Sequence, residues 1–426
     1  MASNITIEKD LEAFVPVWNR MEVTIKQNDA PTLALTDYKH IIDVYIEGVS
    51  GYKRYEILPD PAYSMGSADV SRYVQGNCYS TLSQNTSVVP FSLGANANGT
   101  QSILKVTLKY GYSYMNSGVY TVVADSVVGS AKYAWHCSLD WHEWLDFDYT
   151  DYICNITNGA NGQWLTDMKT HYVGINDLGW FHILTDTPTD VDYLVVKTYS
   201  DNNFTTLIQT ATKAISVAQN LTSSRMYKVA TCPESLNNMT GAFVTGAQPI
   251  VTASVLSYTV QLTNSASAVA SEILYFVIEE ECRYERRRLH FLNKYGSFDA
   301  FNFDLKSTER REIERKTYKM DAYPMSSTGI SRSHSDRAQL VNYTSTQDFI
   351  GLKSDFISEA ENDWLKQLIE SPEIYLEFTD GTGAKNFKPV ESIVGTSWLE
   401  KQTKNDKLFN MEVEIKMSHK NIRQGR

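Results

Sequence analysis

The chain has 426 residues, 42% of them hydrophobic and 21% charged, with a formal net charge of −11 at pH 7. That length predicts two or three domains, each able to bury a core without metal or disulfide support, and the composition excludes a mostly disordered chain. The acidic balance excludes a protein that grips nucleic acid over its whole surface, because phosphate affinity needs Lys and Arg.

The charge is uneven. From Arg283 to Lys319 there are eleven Lys or Arg and six Asp or Glu, a local +5 that leaves −16 for the remainder. Aromatic residues reach 12%, and 26 residues are Tyr, a side chain suited to half-exposed strands and to protein–protein contact. Cys78, Cys137, Cys154, Cys232 and Cys282 are scattered, with no Cys-x-x-Cys pair. They match neither a disulfide framework nor a zinc knuckle and fit a reducing compartment. The opening MASNITIEKDLEAF lacks the basic and apolar regions of a signal peptide, and no apolar run approaches a membrane span.

In chain order, residues 39–46 (KHIIDVYI) predict a strand from their β-branched and aromatic content. In 103–110 (ILKVTLKY), Leu104, Val106, Leu108 and Tyr110 alternate with Lys105, Thr107 and Lys109, the period-two signature of a half-buried strand. Residues 193–199 (YLVVKTY) and 258–262 (YTVQL) predict further strands, and 206–217 a short helix. Residues 273–278 (ILYFVI) predict a strand buried on both faces. Turn chemistry stands at Asn98-Gly99, Asn158-Gly159, Asn161-Gly162 and Asp380-Gly381.

Phe291, Phe298, Phe301 and Phe303 are spaced to anchor a strand–turn–strand unit around Gly296, with Asn293 closing the turn by its side chain, and a core hairpin is the expectation. Arg286, Arg287 and Arg288 lie just before it. This cluster can meet DNA phosphates, but in an acidic protein an acidic partner surface suits it better. In 307–319, Arg310, Arg311, Glu312, Glu314 and Arg315 leave almost nothing to bury, which predicts an edge strand or an arm. Alternating charge there blunts wrong edge pairing and sets register against a neighbouring subunit. A solvated face is the plainer alternative.

The one well-specified helix starts at Ser358, with Glu361 three residues on as a capping box, and Trp364, Leu365, Leu368 and Ile369 as its apolar stripe. Pro372 stops it near 371. Residues 373–378 (EIYLEF) return as a strand, and 408–418 alternates Phe409, Met411, Val413, Ile415 and Met417 with polar residues. The fold expected is mainly β, with two or three β-sandwich-like domains: 1–165, 166–282, and 283–426 holding the helix near 358–371.

Enzyme signatures are weak. His142 and Glu143 begin a zinc-protease-like pattern, but Asp146 stands where the second His belongs. His136 and Cys137 are nearby, yet Trp135, Trp141, Trp144 and Phe147 look like packing. Asp146 with Asp148, or Asp186 with Asp190, are carboxylate pairs of the type glycoside hydrolysis uses, common in a chain with 50 acids. No nucleophile elbow or phosphate loop is present. No catalytic, metal or cofactor-binding residue is assigned, and no cofactor is expected.

Three stretches taken together resemble virion tail, collar or baseplate proteins of tailed phages infecting Bacteroidetes, including the crAss-like phages. They are FVPVWNRMEVTI at 14–25 with YKHIIDVYIEG and LPDPAYSMGSADVSRYV, then ECRYERRRLHFLNKYGSFDAFNF at 281–303 leading into STERREIERKTYKM, then FIGLKSDFISEAENDWLKQLIESPEIYLEF at 349–378 with 388–418. The resemblance covers both ends of the chain, and residues 75–250 match only in general character. Gly296-Ser297 departs from the Gly-Gly expected there. The resemblance implies a non-enzymatic subunit of a homo-oligomeric ring or hub below the portal. Its partners would be copies of itself, adjacent tail, portal or fibre proteins, and genomic DNA passing without sequence specificity. It implies no membrane partner, assembly in the host bacterial cytoplasm and residence in the virion tail. The rival readings are a receptor-binding or fibre-adaptor protein and an envelope-degrading tail hydrolase.

Overall fold

A computed structural model describes residues 5–80, 82, 91–93, 102–186, 190–215, 226–239, 243–279, 284–319, 325–330, 333–335, 337–394 and 409–424. The fold is mainly β, with several sheets and a few short helices. The chain forms two compact units. The first runs to Glu279 and includes Leu292–Asp299; the second holds Glu280–Phe291 and Ala300–Arg426. No unit boundary falls at 165. Apart from Phe91–Leu93, the first unit's strands before that point and after it build different sheets.

In the first unit, a three-stranded sheet (Ile5–Lys9, Glu22–Gln27, Met65–Asp69) faces a six-stranded one centred on Ile103–Asn116 and Lys39–Ile46. Their shared core contains Val23 and Ile25 from one and Ile42, Val44, Val106 and Leu108 from the other, the layering of a sandwich. The alternation predicted for 103–110 is present: Leu104, Val106, Leu108 and Tyr110 are buried, and Lys105, Thr107 and Lys109 are half-exposed. Each such Leu or Val taken from water contributes about 1.5–3 kcal/mol. A five-stranded sheet containing Tyr193–Tyr199, Ser257–Thr263 and Leu274–Ile278 lies against a three-stranded one containing Trp180–Leu184. Phe276 stacks on Tyr258 at 4.7 Å and meets Phe181 at 6.3 Å across that layer.

Two local expectations are corrected. Leu274 and Phe276 are buried, but Tyr275, Val277 and Ile278 are half-exposed, so this strand is buried on one face. Residues 207–214 are a strand, not a helix. The β-branched Ile208, Thr210 and Thr212 favour extended backbone, and the segment pairs antiparallel with Tyr193–Tyr199. Asn98-Gly99 and Cys282 lie outside the described residues; the other four Cys are buried and form no disulfide among the described residues.

The turn in FLNKYGSFDAFNF belongs to the first unit. Asn293 closes it as predicted: its Oδ1 accepts from the backbone N–H of Tyr295 at 3.0 Å and of Ser297 at 2.9 Å. Its Nδ2 donates to the Leu165 carbonyl at 2.8 Å and to Asp299 at 3.0 Å. Gly296 sits at φ +79°, and a Cβ there would lie 1.9 Å from the His136 carbonyl oxygen. Ser297, where the resemblance expects Gly, is fully buried, and its Oγ is hydrogen-bonded to His182 Nδ1 at 2.8 Å.

The second unit is built on most of an eight-stranded sheet, with a separate two-stranded one at Met325–Ser326 and Gly329–Ile330. The strand order of the larger sheet is Phe298–Phe303, Arg287–Leu292, Ile374–Thr379, Lys385–Ile393, Phe409–Met417, Gln339–Ile357 and Thr308–Lys319, with Asn421–Gln424 also paired to Gln339–Ile357. The helix spans Glu359–Glu370 with the predicted capping box: Ser358 Oγ accepts from Glu361 N at 3.2 Å, and Glu361 Oε2 accepts from Ser358 N at 2.8 Å. Trp364, Leu365 and Leu368 are buried, and Trp364 meets Phe291 at 5.6 Å and Phe301 at 6.1 Å. Met411, Val413 and Ile415 are buried and alternate with polar residues, so a one-residue slip would expose all three.

Candidate assembly surface

The strand Thr308–Lys319 follows directly from its composition. With Ile313 as the sole aliphatic side chain among its twelve residues, it has little to bury. All twelve are exposed, and the strand stands at the end of the sheet order with Gln339–Ile357 as its neighbour. The edge-strand expectation is met. Pairing is antiparallel from Thr308 opposite Gly351 to Lys319 opposite Gln339, with one irregularity between Lys316 and Thr317.

Register places Arg311 opposite Asp348, and its guanidinium donates to both carboxylate oxygens at 2.5 and 3.0 Å. Those hydrogen bonds hold Asp348 below the usual carboxylate range. Arg310 lies over the Phe349 ring at 4.2 Å, reaches Glu414 at 3.0 Å and pairs with Glu312. Glu314 accepts from the Ser345 hydroxyl at 3.5 Å. Arg315, opposite Thr344, forms no ion pair among the described residues. Such exposed pairs stabilise the fold little and mainly discriminate among alignments.

The arginine run divides by strand parity. Arg287 shares a face with Leu289 and Phe291, and its Nη2 reaches Glu285 at 3.0 Å and Glu309 at 3.1 Å. Its Nε is buried and has no hydrogen-bond partner among the described residues. Arg286 pairs with Asp304 at 2.5 Å and is mostly covered. Arg288 is 4% exposed, so its surface reading is corrected. It donates to Asn302 at 2.9 Å and lies 3.6 Å from Glu377. Glu377 also accepts from His290 at 2.9 Å and from Lys385 at 2.8 Å. Burial raises the Glu377 pKa, but the hydrogen bond from His290 and the charges of His290, Arg288 and Lys385 outweigh it and hold the carboxyl at about 2. This buried network is an internal fastening of the sheet.

The structure thus brings Arg287 to Glu309, Arg310 and Arg311 and separates Arg288 from them. The exposed Glu309, Arg310 and Arg311 and the mostly covered Arg287 line a groove of about 630 Å³ whose floor includes Ile350, Leu376, Phe378 and Met417, with Lys388 and His419 on its walls. A second hollow, about 750 Å³, is lined by Glu312, Glu314, Gln347, Lys416 and Lys420 among others. Sequence reasoning missed Asp348, Phe378 and Lys388 because they come from strands distant in sequence. The parity of 286–291 was the available signal for separating Arg287 from Arg288.

Several residues of the enzyme-like patterns make local hydrogen bonds that hold turns and caps. Glu143 completes a capping box with Asp140 and accepts from Lys294 at 2.7 Å. Burial lowers the His136 pKa to about 4. Asp148 caps a short 3-10 turn at Thr150, while Asp186 accepts from Asn155 and Asp190 from the Ile156 N–H. Among the described residues, no group of three or more His, Cys, Asp or Glu stands where it could hold a metal ion.

The sequence matches no family model and no curated protein. Among solved structures, the chicken CNTN1 FN1-FN3 domains match at 10% identity over 64% of this chain and 67% of that one, with a TM-score of 0.16. A likeness at that level carries no argument for fold or function.

Proposed function

We propose that the chain is a structural subunit of a bacteriophage tail, forming an oligomeric ring or hub that builds the tail around the DNA passage. One observation supports this reading above the others: a twelve-residue charged strand, exposed at every position, at the end of a sheet. An exposed edge is a liability for aggregation unless it is guarded or used. Here the alternating charges guard it against indiscriminate pairing and leave it open to a partner with matching charge order. A closed ring needs heterologous contacts, in which two different patches of each copy meet. The chain's overall acidity suits a passage through which DNA slides without adhering.

The test is mass and symmetry of the assembly extracted from purified virions. Several copies in closed cyclic symmetry, imaged by electron microscopy, are expected. A chain absent from virions, or a monomer that releases sugars or peptides from host walls, overturns the proposal and favours the hydrolase reading.

A further inference from the structure

We propose that the Phe378-floored groove of the second unit receives the acidic helical knob Trp141–Leu145 of a neighbouring copy. This inference rests on the ring reading and specifies one of its contacts.

The groove is amphipathic and electropositive. Arg287, Arg310, Arg311 and Lys388 outnumber Glu309 and Asp348 on its walls, in a chain whose total charge is −11. Two cationic atoms there, Lys388 Nζ and Arg287 Nε, make no hydrogen bond or ion pair among the described residues, although Arg287 Nη2 pairs with Glu285 and Glu309. Lys388 lies over the Phe378 ring at 4.3 Å and makes no ion pair among the described residues. Arg287 Nε is buried without a hydrogen-bond partner among the described residues, a cost that an incoming acceptor would offset. The volume, about 630 Å³, falls within the range of sites that bury an anchor side chain.

The chain itself carries a matching surface. Between Lys132 and Lys169 there is no Lys or Arg, while six acids occur there. Within that stretch, Trp141–Leu145 is a short helix with no buried residue. Its i,i+4 spacing puts Trp141 and Leu145 on one face, and they are 61% and 60% exposed. Trp144 turns the other way and packs on the first unit's core. Asp140, Asp146, Asp148 and Asp151 surround the exposed pair, all with solvent-facing side chains. A large exposed aromatic beside an aliphatic, rimmed by one sign of charge, is the anatomy of an interface anchor. The opposite sign rims the groove. Knob and groove are different patches, so their pairing between copies is heterologous, as ring closure requires.

The experiment mixes two variants of the full chain, one carrying Leu145→Cys and the other Phe378→Cys, under mild oxidation. A mixed disulfide-linked dimer is expected, absent from either variant alone. Lys388→Glu in the groove partner should cut its yield more than tenfold, and Asp146→Lys in the knob partner should restore it. No mixed dimer, a yield unchanged by Lys388→Glu, or loss that Asp146→Lys does not repair overturns the docking. Native mass of the unmodified chain separates the two failures: an oligomer without the cross-link leaves the ring reading standing, and a persistent monomer removes both.

Discussion

Arg287 and Glu309, twenty-two residues apart, close an ion pair at 3.1 Å, joining the arginine run to the charged edge strand. Arg288, one residue on, points to the other face and is buried against Asn302 and Glu377. Neighbouring arginines therefore have opposite duties, one at the groove and one in the interior, and substitutions should separate them.

Glu377→Gln leaves Arg288, His290 and Lys385 around a neutral amide. Breaking a buried ionic network from one side costs about 3–5 kcal/mol, so chemical unfolding at pH 7 should shift by that amount. The folded pKa of Glu377 is held below its ordinary 4.5. Its stabilisation is therefore complete above pH 4.5 and is lost as pH falls toward about 2. The variant should show a flatter stability profile across that window. An unchanged profile contradicts the network's role.

Asn293→Ala removes the acceptor for two turn N–H groups, and each buried donor left unpaired costs about 1–3 kcal/mol. Gly296→Ala should be worse, because its Cβ would meet the His136 carbonyl and its positive φ disfavours any side chain. Thermal unfolding measures both. A melting temperature that either variant leaves unchanged would show that the turn is less constrained than its geometry indicates.

Burial lowers His136 to about 4, and burial with the charge of Lys228 lowers His182 to about 3, both from the ordinary 6.5. The folded pKa lies below the unfolded one, so the contribution is full above pH 6.5 and falls as pH drops toward those values. The first unit should begin to lose stability at a higher pH than the Glu377 network does. Hydrogen exchange against pH resolves the two windows. Simultaneous onset in both units contradicts the assignment.

Ser358→Ala removes the side-chain acceptor of the Glu361 N–H at the start of the capped helix. A loss of about 0.5–2 kcal/mol is expected, with Ser358→Asp retaining most of the cap. Equal losses in the two variants would place the cost elsewhere than in the cap.

Much of the fold is legible in the sequence wherever local chemistry agrees with tertiary context. The alternation at Leu104–Tyr110 and Met411–Ile415, the Ser358–Glu361 cap and the Asn293 turn all follow from periodicity or from one side chain's hydrogen-bonding reach. The short apolar run at 273–278 misleads because such a run fits burial on one face or two, and sheet neighbours decide. The helical pattern at 206–217 yields to β-branched residues pairing with Tyr193–Tyr199. The charged strand's exposure is readable, since nothing in it asks for burial. The groove is not, because its walls assemble Arg287, Phe349, Phe378 and Lys388 from four separate strands.

The most direct measurement is the native mass of the purified chain beside that of a Glu314→Lys, Arg315→Glu variant, whose reversals fall on exposed positions of the edge strand. Surface changes of this kind alter stability by roughly 0.5 kcal/mol or less, so both proteins should melt together. The account predicts a multi-copy assembly for the natural chain and a monomer for the variant at equal concentration. A natural chain that is monomeric throughout, or a variant that assembles equally well, would contradict it.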